Sequence, residues 1–120
     1  MQPLALEALQ RQRFLYLTTV GRKSGQPRTI EIWFVLYQGR FYVNAERRHK
    51  AHWVQNIRGN PEVSVRVRKR RFRGQGRLLD PDQNRLEWQT VAALSRQKYG
   101  WGDGLPVAIE GLREEFAKEG

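Results

Sequence analysis

The residues best suited to chemistry in this chain lie in one short turn, residues 21–28, with the sequence Gly-Arg-Lys-Ser-Gly-Gln-Pro-Arg. Glycine allows backbone N–H groups to converge on an oxyanion, and Arg, Lys and Ser side chains add charge-assisted hydrogen bonds. These residue types therefore favour the binding of an anion. Because turns are commonly rich in Gly, Ser and charge, a solvated basic hairpin is the alternative.

A second basic cluster, residues 44–50, follows a strand-like run and leads into a short helical pattern. The N-terminal amides of a helix favour anions. If the strands around the first turn form a meander, the two clusters lie close together and could grip a long anionic ligand. Trp33 and Trp53 are the aromatic side chains best placed to contact a flat ring, although either could equally belong to the core.

Two further groups of residues carry weaker indications. His49 and His52 are three positions apart, but a third ligand is not close in sequence, so we predict no metal site. The arginine-rich segment from Arg66 to Arg73 could bind nucleic acid through phosphate contacts and stacking. A solvated sheet face whose charge discourages strand addition is the simpler explanation for this segment.

Composition limits the classes of partner. The chain has 120 residues, enough for one domain, and its formal net charge of +10 favours a polyanion such as nucleic acid, anionic lipid or a phosphorylated or polycarboxylate ligand. Cysteine is absent, which excludes disulfides and thiolate chemistry. We recognise no apolar run long enough for a membrane span and no signal peptide, and we expect a cytoplasmic protein.

Alternating apolar residues predict strands, and three-residue and four-residue spacing predicts helices. The first strand has apolar residues on both faces, so we expect it to be buried on both sides. In the long helix we expect Leu86, Val91, Ala93 and Leu94 to form the buried stripe. The predicted strands are 14–20, 29–37, 40–45, 63–67, 71–79 and 106–109, and the predicted helices are 3–13, 50–58, 80–99 and 112–118.

These elements predict a mainly β (α+β) fold, in which hairpin-connected antiparallel strands curl into a small barrel. The connections between the first three strands are too short for helical crossovers, so the sequence disfavours a parallel doubly wound sheet. Gly74 and Gly76 within the fifth strand indicate a bend or a close backbone approach. We expect one domain over residues 1–120, with residues 1–13 as a helix or arm and 112–120 as a tail.

A family resemblance adds to this interpretation. Residues 17–28 (Leu-Thr-Thr-Val-Gly-Arg-Lys-Ser-Gly-Gln-Pro-Arg), 53–57 (Trp-Val-Gln-Asn-Ile) and 60–63 (Asn-Pro-Glu-Val) resemble the deazaflavin-dependent nitroreductase family of split β-barrel flavin-binding proteins. The sequence pattern predicts about six mostly antiparallel strands with two or three short helices, and the resemblance implies that they form a split barrel. The resemblance also implies that coenzyme F420, a deazaflavin with a phosphate and a polyglutamate tail, passes hydride to a quinone, a nitroaromatic or another small unsaturated acceptor. Related barrels bind FMN, which remains the alternative cofactor.

The resemblance also assigns roles by position. The phosphate and tail would be held by Arg22, Lys23, Ser24, Gly25, Gln26, Pro27 and Arg28, with Lys23 and Arg28 as the principal charges. The ring and its surroundings would be lined by Asn44, Ala45, Glu46, Arg47, Lys50 and Trp53. Trp33 stands where a tyrosine is common on the substrate side, and Tyr99 and Trp101 beside the glycine loop are candidates to close over the substrate pocket.

We find no side chains arranged for nucleophilic or acid–base catalysis. Hydride transfer needs none, because the cofactor carries the reaction and the protein supplies binding, orientation and exclusion of water. The sequence therefore predicts an F420-dependent oxidoreductase, or an FMN-binding relative, that pairs as a homodimer around its cofactor. A basic nucleic-acid-binding module and a cofactor carrier without a substrate are the other two hypotheses.

Overall fold

Six strands and two helices make up the protein in a computed structural model that describes residues 5–116. The strands are β1 (Phe14–Val20), β2 (Pro27–Tyr37), β3 (Arg40–Ala45), β4 (Glu62–Val67), β5 (Arg70–Leu78) and β6 (Leu105–Glu115). The helices are α1 (His52–Gly59) and α2 (Arg85–Tyr99), and Glu7–Leu9 and Arg48–Lys50 form single 3-10 turns.

The strands close into one antiparallel barrel in the order β1-β2-β3-β6-β5-β4. Alternate residues of β1 and β4 point inward, and Leu15, Leu17 and Val65 among them are at most 2% exposed. Three aromatic rings, those of Phe34, Phe41 and Phe72, meet edge to face in the barrel interior. The predicted fold class is confirmed.

The barrel is split between β2 and β3. Residues 27–33 of β2 pair with β1, and residues 34–37 pair with β3. On the N-terminal side of Phe34 the two strands diverge, and Asn44 and Ala45 at the end of β3 stay paired with β6 while β2 stays paired with β1. One edge of β2 therefore faces an opening instead of a neighbouring strand.

Helix α2 packs on the outside of the barrel, where Val91 and Ala92 are buried. The predicted stripe was partly wrong, since Leu86 is 78% exposed and Ala93 is also exposed. The helix begins at Arg85 and not at residue 80. Residue 80 instead closes a turn, in which Asp80 Oδ1 accepts hydrogen bonds from the N–H groups of residues 82 and 83.

The tail helix predicted for residues 112–118 was also wrong as far as Glu115. Residues 112–115 instead belong to the long strand β6, in which Arg113, Glu114 and Glu115 pair with β5. The Glu114 carboxylate receives two hydrogen bonds from the Arg70 guanidinium, at 2.8 and 2.7 Å. Residues 117–120 lie outside the described part of the chain.

Two other expectations concern the start of the chain. The long N-terminal helix is wrong for the described residues, which form one 3-10 turn whose Leu6 and Leu9 are buried, and residues 1–4 lie outside the description. Strand β1 is buried on one face only, because its alternate residues from Phe14 onward are partly exposed.

The close backbone approach at the β5 glycines is confirmed. A Cβ atom on Gly74 would lie 2.7 Å from the backbone oxygen of Glu110, and one on Gly76 would lie 2.9 Å from the Ile57 side chain. The pairing of β5 with β6 also shifts register between residues 73 and 75. Among residues 5–116, no helix is both long and apolar enough to cross a bilayer.

Candidate functional site

The opening in the barrel leads into a cleft of about 1210 Å³. One wall is the unpaired edge of β2, and the turn before that strand forms one end of the wall. The opposite side comes from the segment after β3 and from the start of α1. The divergence of β2 and β3 therefore creates the site.

Five cationic side chains line this cleft. They form two groups, one from the turn at residues 21–28 and one from the segment after β3, and they are Arg22, Lys23, Arg28, Arg47 and Lys50. The carboxylates of Glu31 and Glu46 offset part of this charge. The two basic clusters predicted to meet do line one cleft, whose net charge favours an anionic ligand.

The turn itself is closed by its own hydrogen bonds. The Gly21 N–H donates to the Gln26 carbonyl and the Gly25 N–H donates to the Gly21 carbonyl, both at 2.8 Å. The Gln26 N–H donates to Ser24 Oγ at 3.1 Å. The amides of Gly21, Gly25 and Gln26 are therefore used within the turn, and its charged side chains are the groups best placed to hold an anion.

Arg22 is held by a buried amide. Asn56, which is 4% exposed, accepts hydrogen bonds from the Arg22 backbone N–H at 3.2 Å and from its Nη1 at 3.1 Å. The Asn56 Nδ2 donates to Thr19 Oγ1 at 3.1 Å, inside the barrel. A chain of hydrogen bonds thus connects the core to a cation of the cleft.

The edge of β2 offers backbone groups to a ligand. The N–H of Phe34 donates to the Tyr99 hydroxyl, on the side away from β3. Because backbone polar groups alternate in direction along a strand, those of Trp33, Glu31 and Thr29 point to the opposite side, into the opening. A flat ring with donors and acceptors at its edge can bind there.

Asn44 supplies a further polar atom. Its Oδ1 is buried and has no hydrogen-bond partner among the described residues, and the side chain lines the cleft. A buried acceptor without a donor costs free energy, so a bound group that brings an N–H donor would be stabilised there.

Aromatic and aliphatic side chains form the rest of the wall. Trp53 and Trp101 line the cleft together with Ile30 and Ile32 of β2. The carbonyl of Trp101 accepts a hydrogen bond from Ser95 Oγ at 2.7 Å. A Cβ atom on Gly104 would lie 2.9 Å from the Trp101 ring, so this loop is packed tightly.

Trp33 and Tyr99 form a stacked pair, with ring centroids 4.4 Å apart and planes inclined by 4°. Trp33 lines the cleft and is 45% exposed, and Tyr99 lies behind it. The Tyr99 hydroxyl donates to the Arg13 carbonyl at 2.6 Å. Tyr99 thus supports a wall residue and is outside the cleft lining.

The pKa values of two groups beside the Trp33–Tyr99 stack are shifted from their ordinary values. The Lys98 ammonium donates to the carbonyls of Gln12 and Phe34 at 2.7 and 3.0 Å. Burial, followed by the nearby charge of Arg13, lowers the pKa of Lys98 to about 8. Burial raises the pKa of Tyr99.

On the α2 side of the barrel, Tyr42 donates to the Glu87 carboxylate, and Arg77 also contacts that carboxylate. Burial and the bond to Glu87 raise the pKa of Tyr42 to about 12, while the Arg77 guanidinium lowers the pKa of Glu87. These groups are outside the cleft lining and have a structural role.

Most of the predicted site residues line the cleft, and five do not. The lining includes Arg22, Lys23, Ser24, Arg28, Trp33, Asn44, Glu46, Arg47, Lys50, Trp53 and Trp101. The residues outside it are Gly25, Gln26, Pro27, Ala45 and Tyr99. Ala45 is only 1% exposed, and Gly25 and Pro27 border a smaller pocket of about 380 Å³.

Sequence reasoning missed several lining residues, chiefly Thr19, Ile30, Ile32, His52, Asn56 and Ser95. The sequence could have indicated that Asn56 is buried, because it precedes the apolar residue Ile57 in a short amphipathic helix. Within residues 5–116, no three His, Cys, Asp or Glu side chains are grouped as metal ligands would be.

Comparison with known proteins adds a family. The profile of the F420H(2)-dependent quinone reductase family matches residues 5–110. An F420H(2)-dependent quinone reductase of Mycobacterium tuberculosis is 30% identical in an alignment 91 residues long, which covers 71% of this chain and 60% of that protein. The chain therefore spans about three fifths of that relative's length.

Solved structures share the fold. A protein described as F420 reductase aligns with a TM-score of 0.65 and 18% identity, over 96% of this chain and 98% of the other. The haem storage protein HutZ of Vibrio cholerae aligns with a TM-score of 0.66 and 21% identity, over 97% and 98%. At such identities the likeness concerns the barrel alone.

Proposed function

Because the chain belongs to the F420H(2)-dependent quinone reductase family, we propose that it is an enzyme that binds coenzyme F420 in the cleft and reduces a quinone. The observation that carries the proposal is a single cleft with a partly apolar wall and two groups of cations. A flat ring needs the apolar wall, and an anionic tail needs the cations. The curated relatives are longer than this chain, so their activity is proposed for it and not taken as given.

The ring would lie along the free edge of β2. The unpartnered Asn44 Oδ1 would accept a hydrogen bond from an N–H at the ring's polar edge. The backbone groups of Glu31 and Trp33 would take further ring contacts, and Trp53 and Trp101 would cover the apolar surface. These residues fit a deazaflavin.

The phosphate and glutamate carboxylates would be held by the two groups of cations. Lys23 and Arg28 supply exposed charge from the turn, and Arg47 and Lys50 supply it from the segment after β3. Arg22 is already positioned by Asn56. FMN carries a single phosphate and needs fewer cations, so the number of cations favours F420.

When bound, the reduced deazaflavin supplies the hydride, and the side chains hold and shield it. The tight loop at Gly104 fixes the Trp101 ring as a wall of the cleft. The stack on Tyr99 fixes Trp33 in the same way. Both aromatic walls would exclude water and orient a planar acceptor.

Quinones are the acceptors that the family name favours. Nitroaromatics and other small unsaturated compounds are planar as well, and we propose them as secondary acceptors. The resemblance implies a homodimer, and sedimentation at twice the chain mass of 14.1 kDa would support it, whereas 14.1 kDa would reject it. A cytoplasmic location stays a prediction.

The test is direct. The purified protein is titrated with F420 and with FMN, and the oxidation of chemically reduced F420 is followed optically with a soluble quinone or nitroaromatic. We expect F420 to bind more tightly than FMN and turnover to depend on protein and quinone. Failure to bind either cofactor would overturn the proposal, and tight F420 binding without turnover would indicate a carrier.

A further inference from the structure

A group of four arginines lies on the outer face of the barrel, away from α2 and outside the cleft lining: Arg66 of β4, Arg71 and Arg73 of β5, and Arg113 of β6. Successive side chains of a strand point to opposite faces. The neighbours of these arginines, such as Val65 and Phe72, fill the barrel interior. The arginines therefore lie side by side on the solvent face.

These arginines face each other in pairs across the strands. Arg66 is directly opposite Arg71, and Arg73 is directly opposite Arg113. Like charges at directly opposed positions destabilise a sheet. Carboxylates offset part of this charge: Glu115 is directly opposite Arg71 and also reaches Arg73 at 3.5 Å in an exposed pair, which contributes little to stability. Glu62 lies on the same face of β4 as Arg66, and Glu31 is opposite Tyr16. An anionic partner would relieve the repulsion.

Aromatic side chains continue this face to the mouth of the cleft. Tyr16 is opposite Arg66, whose guanidinium lies 4.3 Å from the centre of the tyrosine ring. Phe14, which is 40% exposed, packs edge-on against Tyr16. Phe14 is in turn opposite Trp33, the 45% exposed residue of the cleft wall. Arginines, aromatics and cleft mouth form one continuous surface.

The geometry disfavours nucleic acid as the partner. To enter a groove, a hairpin must project from the fold, but β4 and β5 are held in the barrel by β1 and β6. A single strand needs open aromatic faces beside the cations, but Phe72 of this hairpin is fully buried and Arg66 covers the Tyr16 ring, so neither ring beside the arginines is open for stacking. A broad anionic surface has neither requirement.

A surface that combines arginine with Trp, Tyr and Phe is typical of proteins that bind the interface of an anionic bilayer. Arginine is attracted to acidic headgroups, and aromatic rings settle at the headgroup level. We propose that this outer face docks on an anionic lipid surface and places the cleft mouth at Trp33 against the bilayer. The orientation rests on the proposed function, since an apolar quinone dissolved in lipid would enter there.

The test measures vesicle binding of the full chain without cofactor or quinone. Vesicles of phosphatidylcholine alone are compared with vesicles of equal parts phosphatidylcholine and phosphatidylglycerol, by co-sedimentation. We expect at least about tenfold tighter binding to the acidic vesicles, because each arginine near the surface is worth about 1 kcal/mol. Equal binding to both compositions would overturn the proposal.

A matched pair of variants separates this face from net charge. Arg66→Gln/Arg71→Gln/Arg73→Gln/Arg113→Gln removes four outer charges, and Lys23→Gln/Arg28→Gln/Arg47→Gln/Lys50→Gln removes four cleft charges. We expect only the first to lose the preference for acidic vesicles. Equal losses in both, or tighter binding of the wild type to single-stranded oligonucleotide than to vesicles, would overturn the proposal. If the first variant does not fold, Arg71→Gln/Arg113→Gln replaces it, because both residues are exposed, and an unchanged preference for acidic vesicles in this variant would overturn the proposal.

Orientation is tested with bromine-labelled lipid in the acidic vesicles, which quenches nearby tryptophan fluorescence. We expect Trp33→Phe to lose a large part of the quenching and Trp88→Phe on α2 to retain it. Unchanged quenching in Trp33→Phe would overturn the orientation. These measurements involve no turnover, so they remain readable if the protein reduces no quinone.

Discussion

Asn56 illustrates how one side chain links the core to the site. Its amide joins Thr19 in the barrel to Arg22 at the cleft, and it is almost fully buried. A buried amide is stabilising only when it is hydrogen-bonded, and here the protein supplies the partners. Arg22 consequently keeps its position before any ligand binds.

The exposed charges of the turn permit a sharper prediction. Replacing Lys23 and Arg28 by alanine should weaken F420 binding at least about tenfold, since charged hydrogen bonds are worth about 1.5–3 kcal/mol each. Both residues are exposed, so the midpoint of thermal unfolding should change little. The measurement is a fluorescence titration.

The control for this double variant is Arg71→Ala/Arg113→Ala. It removes the same charge from the outer face and should leave F420 affinity within about twofold, because charges separated by more than a Debye length of about 10 Å interact weakly in salt. Equal weakening in both variants would show that affinity depends on net charge and not on the turn.

Lys98 predicts a dependence of stability on pH. Its pKa is lowered from the ordinary 10.5 to about 8, so between these values the unfolded chain binds more protons than the folded one. The free energy of unfolding should therefore rise with pH from about 8 towards 10, relative to a Lys98→Met variant. Urea unfolding of both proteins across this range checks it, and parallel pH profiles would contradict the lowered pKa.

Among the secondary-structure elements, the strands were predicted better than the two ends of the chain and the start of α2. The alternation of Val63, Val65 and Val67 fixes a strand because one face must be buried. Residues 112–115 look helical, since Leu, Arg and Glu are good helix formers, but pairing with β5 and the Arg70 contact with Glu114 override that propensity. Local sequence contains no information about such a distant partner.

The close approach of β5 to its neighbours can be tested through glycine. Gly74→Ala should lower the free energy of unfolding by about 1–3 kcal/mol, because the new methyl group would meet the Glu110 backbone oxygen at 2.7 Å. Gly59→Ala is the control, since its nearest contact is 3.7 Å away, and it should be neutral or stabilising by up to about 1 kcal/mol. Equal effects of the two substitutions would contradict the model of tight packing.

At the scale of the whole molecule, the sequence predicted the contents of the site better than its shape. The two basic clusters and Trp53 could be found because residue type indicates their chemistry. The split between β2 and β3 depends on which residues of β2 pair with which strand, and β-alternation is the same on both sides of Phe34. The sequence likewise could not show that Tyr99 stacks on Trp33 outside the cleft lining, because the two residues are far apart in sequence.

The net charge of +10 predicts a dependence on salt. The association rate with F420 should fall by about tenfold or more between low and high ionic strength, because the field of the protein attracts the anionic tail. The same deazaflavin without phosphate and glutamates should show little change. Stopped-flow fluorescence measures both rates, and a salt effect of equal size for the two ligands would exclude steering by charge.

The unpaired edge of β2 also has a consequence for the lifetime of the protein. A ligand that bonds to this edge takes the place of a missing strand, so binding and folding are coupled and the folded population grows with ligand concentration. In a cell, unfolded chains are removed by proteases, and a small gain in stability changes abundance. If F420 is the ligand, as proposed, the amount of this protein should therefore follow the supply of F420, without any change in transcription.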